Sequence, residues 1–141
     1  MSMNKDRHEG IEIPEIPEGT DLIITSETWE EFKEGSVDRA RSLDEGEQPP
    51  HVVNIEDPSE FRKLLTPKRL ELIETVVEDP PESIRDLADK LDRGLREVHE
   101  DLELLEEYGI VKFEEEGRAK RPYIPYETVR ISGEIAKKPP A

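Results

Sequence analysis

The chain has 141 residues, with 36 Asp or Glu against 20 Lys or Arg, a formal net charge of −16 and no cysteine. That length fits one small domain with appendages and excludes a two-lobed enzyme. The missing thiols exclude a disulfide framework, a thiolate zinc site, an iron–sulfur site and a Cys nucleophile.

The apolar runs are short, as in Leu22-Ile23-Ile24, so no membrane span is expected. The opening Met1-Ser2-Met3-Asn4-Lys5-Asp6-Arg7 lacks the apolar core of a secretory signal, and a cytoplasmic address follows as the expectation. The acidity has two readings. One is disorder. The other is a folded surface suited to concentrated salt, where screening over about 3 Å at 1 M removes most self-repulsion. Helical periodicity along the chain favours the second. The charge is also uneven: residues 1–50 hold 14 acidic and 5 basic side chains, residues 51–141 hold 22 and 15.

Residues 1–20, with Pro14, Pro17 and Gly19 among acids, read as a disordered acidic tail. Residues 21–50 read as an N-terminal strand and helix extension. Asp21 to Thr25 forms its strand. Thr28 with Glu31 is a capping box opening a helix over 29–44, whose stripe is Trp29, Phe32, Ser36, Ala40 and Leu43. Gly46 and Pro49-Pro50 end it.

Residues 51–136 read as the main domain. His51 to Ile55 is a short strand. Asp57-Pro58 and Thr66-Pro67 each supply an N-cap followed by Pro at the first helical position. The first helix runs through Phe61 and Leu65; the second carries Leu70, Ile73 and Val76 inward and stops at Asp79-Pro80-Pro81. Ser83 with Asp86 caps a third, whose Ile84, Leu87, Ala88 and Leu91 fall on one face. Asp92-Arg93-Gly94 makes a tight turn. A fourth helix follows with Leu95, Val98, Leu102 and Leu105 inward, capped at Gly109. The period then alternates: a strand from Ile110 to Glu114, a turn at Glu115-Glu116-Gly117, a strand carrying Arg118, Lys120, Arg121 and Tyr123, and another with Val129, Ile131, Gly133 and Ile135 on one face. Pro122 and Pro125 imply edge or irregular pairing there. Residues 137–141 read as a loose tail.

Helix, helix, Gly-containing turn, helix and hairpin is the order of a winged helix-turn-helix. The expected fold class is therefore mainly α with a β-hairpin wing, a winged helix-turn-helix plus an N-terminal helical extension. Its DNA-facing residues would be Arg93 and Arg96 with Glu97 and Glu100, opposite the apolar stripe at the start of the fourth helix. The wing cations Arg118, Lys120 and Arg121 would reach phosphates. Lys68 and Arg69, in a basic cluster with Arg62 and Lys63, would touch the backbone, as would Ser83 with Arg85 at the third helix start. The competing reading of these charges is a solvated surface, with Arg96 and Glu100 paired at i, i+4.

Leu64-Leu65-Thr66-Pro67-Lys68-Arg69-Leu70-Glu71-Leu72, Ser83-Ile84-Arg85-Asp86-Leu87-Ala88, Val98-His99-Glu100-Asp101-Leu102, Leu105-Glu106-Glu107-Tyr108-Gly109-Ile110-Val111 and Pro125-Tyr126 together resemble a family of prokaryotic, archaeal halophile-type predicted transcriptional regulators with a winged helix, MarR- or ArsR-like in architecture. The resemblance covers roughly residues 51–135 and implies a DNA-binding regulator. Glu100 departs from it, since the family often has a basic residue there.

No chemistry is expected. His8, His51 and His99 are the only histidines; His99 with Glu103 is too small a ligand set for a metal and reads as a half-buried packing pair. No phosphate loop, nucleophile elbow or HExxH motif occurs, so catalytic residues, metal and cofactor are all expected to be absent. The expected partners are double-stranded DNA and a second copy, with no membrane. A dimer would match a palindromic operator, and its interface would draw on Trp29, Phe32, Ala40, Leu43 and Leu104. The acidic outer face of the fourth helix keeps a second reading open, a protein-interaction module such as an antitoxin-like partner of a neighbouring gene product. The acidity further predicts that folding and binding need high salt.

Overall fold

Among the described residues there are five short strands and five helices. They are β1 (Leu22–Ser26), α1 (Trp29–Asp44), β2 (His51–Asn54), α2 (Pro58–Leu64), α3 (Pro67–Glu78), α4 (Ile84–Leu91), α5 (Leu95–Glu107), β3 (Lys112–Glu116), β4 (Ala119–Tyr123) and β5 (Val129–Gly133). The computed structural model describes residues 15–44, 46, 48–133 and 138–140, without the side chains of 36–39, 42–44 and 116. The expected acidic tail therefore lies outside the described residues up to residue 14. So do Ile135, the side chains of Ser36 and Leu43, and residues 137 and 141 of the C-terminal tail.

The capping chemistry sets the helix starts. Thr28 Oγ1 accepts from the Glu31 amide while Glu31 accepts from the Thr28 amide, a reciprocal box. Asp57 accepts from the Ser59 amide, Thr66 from Arg69 and Ser83 from Asp86. Pro58 and Pro67 occupy first-turn positions where no N–H is needed. α5 ends as the sequence suggests: Gly109, at φ 77°, donates to the Glu106 carbonyl, and Ile110 donates to Leu105. α4 ends the same way with a non-glycine, since Asp92 sits at φ 52° and Arg93 donates to the Ala88 carbonyl.

The fold is mixed α/β, and the expected mainly-α winged helix-turn-helix with an appended N-terminal helix is overturned by the sheet. β1 lies at the centre of a three-stranded parallel sheet of order β2-β1-β5, while β3 and β4 form a separate antiparallel pair. Leu22 faces His51 on one side and Val129 on the other; Ile24 faces Val53 and Ile131. The N-terminal segment is thus no appendage. Leu22 and Ile24 are fully buried in the same apolar cluster as Leu72, Leu87, Val98, Leu102 and Leu105. Burying two such side chains contributes on the order of 1.5–3 kcal/mol each.

α3 lies over this face of the sheet, where Leu70, Ile73 and Val77 border one cleft with Ile24, Val129 and Ile131. Side-chain bonds join the sheet where the ladder ends. Asn54 Oδ1 accepts from Thr25 Oγ1 and the Glu27 amide, and Thr128 Oγ1 donates to Asp21 across 107 positions of sequence. Within the stretch expected to be tail, Thr20 is buried and Ile16 packs against the core.

The hairpin turn is one residue later than the charge pattern suggests. Glu116 pairs with Ala119, so Gly117 and Arg118 form a two-residue turn. Gly117 takes the positive φ of 61° that its first central position requires. Arg118 is then at the tip rather than in the strand.

Candidate nucleic-acid interface

The helices α4 and α5 meet the hairpin around a groove of about 750 Å³, lined by Ser83, Ile84, Arg85, Leu95, Arg96, His99, Ala119 and Lys120. Each wall follows from local structure. Arg85 is in the first turn of α4, placed there by the Ser83 cap. Leu95 and Arg96 open α5 directly after Gly94. Lys120 is near the start of β4, with its ammonium 5.5 Å from the Phe113 ring centroid.

The Arg96 side chain is 94% exposed, and among the described residues its one ion pair is with Glu100, at 3.3 Å. Among the described residues no carboxylate lies within ion-pairing distance of Arg85, Lys120 or the tip residue Arg118. α5 is also distinctive at its start, because Gly94 offers no side-chain cap to the first amides of the helix. Groups able to attract an anion therefore converge from three elements.

The other expected contact residues are engaged elsewhere. Arg93 was placed opposite the apolar stripe by helical phase, yet its side chain is only 9% exposed. It bonds Asp101 at 2.6 Å and Glu97 at 2.7 Å. The phase argument fails because Arg93 precedes the helix, in the left-handed turn that swings it back toward α5. Arg69 reaches the same carboxylate from α3, with Nε 3.0 Å from Asp101 Oδ1, and also donates to the carbonyls of Lys63 and Leu64. Lys68 bonds Glu97 at 3.2 Å. Arg121 bonds Glu114 at 2.9 Å and lies over Tyr123. Ser83 lines the groove, but its oxygen is the helix cap.

Asp101 is the one residue of this ion-pair network that lies outside the expected set. An acid flanking the fully buried Val98, Leu102 and Leu105 was the available signal, since such a carboxylate requires a cation. The result is a bridge that ties α3, the α4–α5 turn and α5 together.

Two further expectations are corrected by burial. Leu95 is 41% exposed instead of joining the stripe, at the first position of α5 and about one turn before the fully buried Val98. His99 leaves 47% of its side chain exposed, with Nδ1 3.0 Å from Glu103, and it lines the groove instead of packing against the core. Leu104 packs partly buried against the core. Trp29 remains 62% exposed, stacked on Phe32 with ring centroids 6.2 Å apart, and Ala40 is exposed on the same helix.

Protonation follows the ion pairs. Hydrogen bonds from Arg93 and then Lys68 hold the Glu97 carboxyl below its ordinary value near 4.5. Burial opposes the charge of Arg93, but its bonds to Asp101 and Glu97 more than offset this and raise it. A depressed carboxyl contributes stability above its unfolded pKa and loses it as pH falls through the folded value. Thermal unfolding from pH 6 to 3 should therefore show a shallower acid decline for Glu97→Gln than for the wild type; parallel curves would contradict the assignment.

Among the described residues no group of three or more His, Asp or Glu is disposed to hold a metal ion, and no helix is long and apolar enough to cross a membrane. No curated protein matches the chain. Residues 64–131 match the family model HVO_A0114, a span that takes in α3, α4, α5 and the hairpin, and so contains every residue of the groove, while leaving β1, α1 and β2 outside.

Proposed function

We propose that the protein binds double-stranded DNA through the α4–α5–hairpin groove and acts in the cytoplasm as a transcriptional regulator. One observation carries this reading. On a chain of net charge −16, Arg85, Arg96 and Lys120 converge from three elements on one groove, beside an uncapped helix start. Phosphates favour such a place, since amide N–H groups and the helix dipole both attract anions. Glu97 in the first turn of α5 is held by Arg93 and Lys68, and the other carboxylates of α5 lie further along the helix, so contact is confined to its start. The acidic remainder suits concentrated salt, where its repulsion is screened.

Gly94→Asp tests this directly. Gly94 has extended backbone and open space around its would-be Cβ, so the new carboxylate fits and caps α5. Stability should rise by a few tenths of a kcal/mol. Binding to a fluorescent duplex selected from a randomised library should nevertheless weaken roughly tenfold, because a negative charge now occupies the phosphate position. Unchanged or tighter binding would count against the groove as the contact.

A second copy on a palindromic site fits the exposed Trp29 and its Phe32 stack. A monomer by sedimentation at micromolar concentration in molar KCl would remove that part. The exposed Glu100, Glu103, Glu106 and Glu107 along α5 favour one other reading, a protein-interaction module. Under it, a co-purifying protein is bound and the selected duplex is not.

A further inference from the structure

We infer that the groove reads base edges as well as phosphates, and that Leu95 and Arg96 select a thymine adjacent to a guanine. The inference rests on the DNA-binding reading above. Each base pair shows a distinct pattern in the major groove. Guanine offers two acceptors to a guanidinium, thymine offers a methyl to an apolar side chain, adenine is met by Asn or Gln, and cytosine by a carboxylate.

The lining sorts these choices. Among the described residues neither Asn, Gln, Asp nor Glu lines the groove, and Glu100 beside it is held by Arg96 at 3.3 Å, so no reader of adenine or cytosine stands in it. Arg96 projects its guanidinium, 94% exposed, from the first turn of α5. Leu95 stands beside it with 41% exposure, whereas Val98, Leu102 and Leu105 on the same helix are fully buried. Ile84 and Ala119 extend the apolar surface around Leu95. Consecutive residues at a helix start thus present a methyl-seeking group next to a guanine-seeking one. Arg85 and Lys120, on the flanking elements, are left for phosphates.

Single-atom changes in the DNA separate this from a structural role. The probe is the best 20-base-pair duplex from a randomised library, with each thymine in turn replaced by deoxyuridine and each guanine by 7-deazaguanine. One thymine next to a guanine should lose about fourfold in affinity on losing its methyl, and the neighbouring guanine roughly tenfold on losing N7. Leu95→Ala should abolish the first sensitivity and keep the second; Arg96→Ala should do the reverse. A merely structural Leu95 would lower affinity for both duplexes equally and leave their ratio unchanged. If no thymine responds, or Leu95→Ala retains the fourfold ratio, the inference falls while DNA binding stands. If the library yields no enriched duplex, both fall.

Discussion

Asp101→Ala is expected to destabilise the protein by about 3–5 kcal/mol, the usual range for removing one partner of a buried ion pair. Its carboxylate holds Arg69 Nε at 3.0 Å and Arg93 Nη2 at 2.6 Å, with the Asp101 side chain 12% exposed. Removing it strands two cations at once. Arg69 keeps the carbonyls of Lys63 and Leu64, and Arg93 keeps Glu97. Arg93 already has one nitrogen, Nη1, buried without a hydrogen-bond partner, so it has little capacity to absorb a second loss.

Arg93→Ala should cost less, because Asp101 would still be neutralised by Arg69. Urea unfolding at fixed KCl measures both, and urea leaves the ionic strength alone. A triple replacement, Arg69→Met and Arg93→Met with Asp101→Leu, should recover much of the loss, since apolar groups of similar volume need no counter-charge. A cost below about 1 kcal/mol for Asp101→Ala would mean that the bridge is solvated and does not hold α5.

The second large effect concerns binding. Replacing Arg85, Arg96 and Lys120 together by Ala should lower affinity for a selected duplex on the order of 100-fold or more, taking 1–3 kcal/mol for a good base contact and less for each phosphate contact. The slope of log K against log[KCl] should shift by about 0.9 for every phosphate contact removed. Stability should change little, because none of the three is buried and surface substitutions usually stay within about 0.5 kcal/mol. Unfolding curves that overlay the wild type, with binding lost, would localise the effect to the groove. Binding retained within twofold would contradict the proposed contact.

Much of the local structure was legible because it is written in short-range chemistry. Thr28 with Glu31, Asp57-Pro58, Thr66-Pro67 and Ser83 with Asp86 each marked a helix start that the structure places there. The alternation at 129–133 marked a strand. What alternation cannot show is the neighbour: it fixes which face a side chain takes, and parallel partners are set by contacts far along the chain. β5 pairs with β1 more than a hundred positions away, so chain order suggested a hairpin region where the molecule builds a sheet. The same limit hid the role of Arg93, whose direction is decided by the left-handed Asp92 before it and by a carboxylate two turns further on. The groove itself is half legible: charge alone points to Arg85, Arg96 and Lys120, but helical periodicity puts Leu95 in the core, where the structure leaves it 41% exposed.

The central claim is that DNA sits against the first turns of α4 and α5 and the start of β4. A ¹⁵N-resolved NMR titration of the full chain with a selected duplex in molar KCl tests it most directly. The amides of Arg85, Leu95, Arg96, His99, Ala119 and Lys120 are expected to shift, while those of β1, β2 and the Glu103–Glu107 end of α5 are not. Shifts centred on the sheet or on Trp29, with the groove amides unmoved, would contradict it.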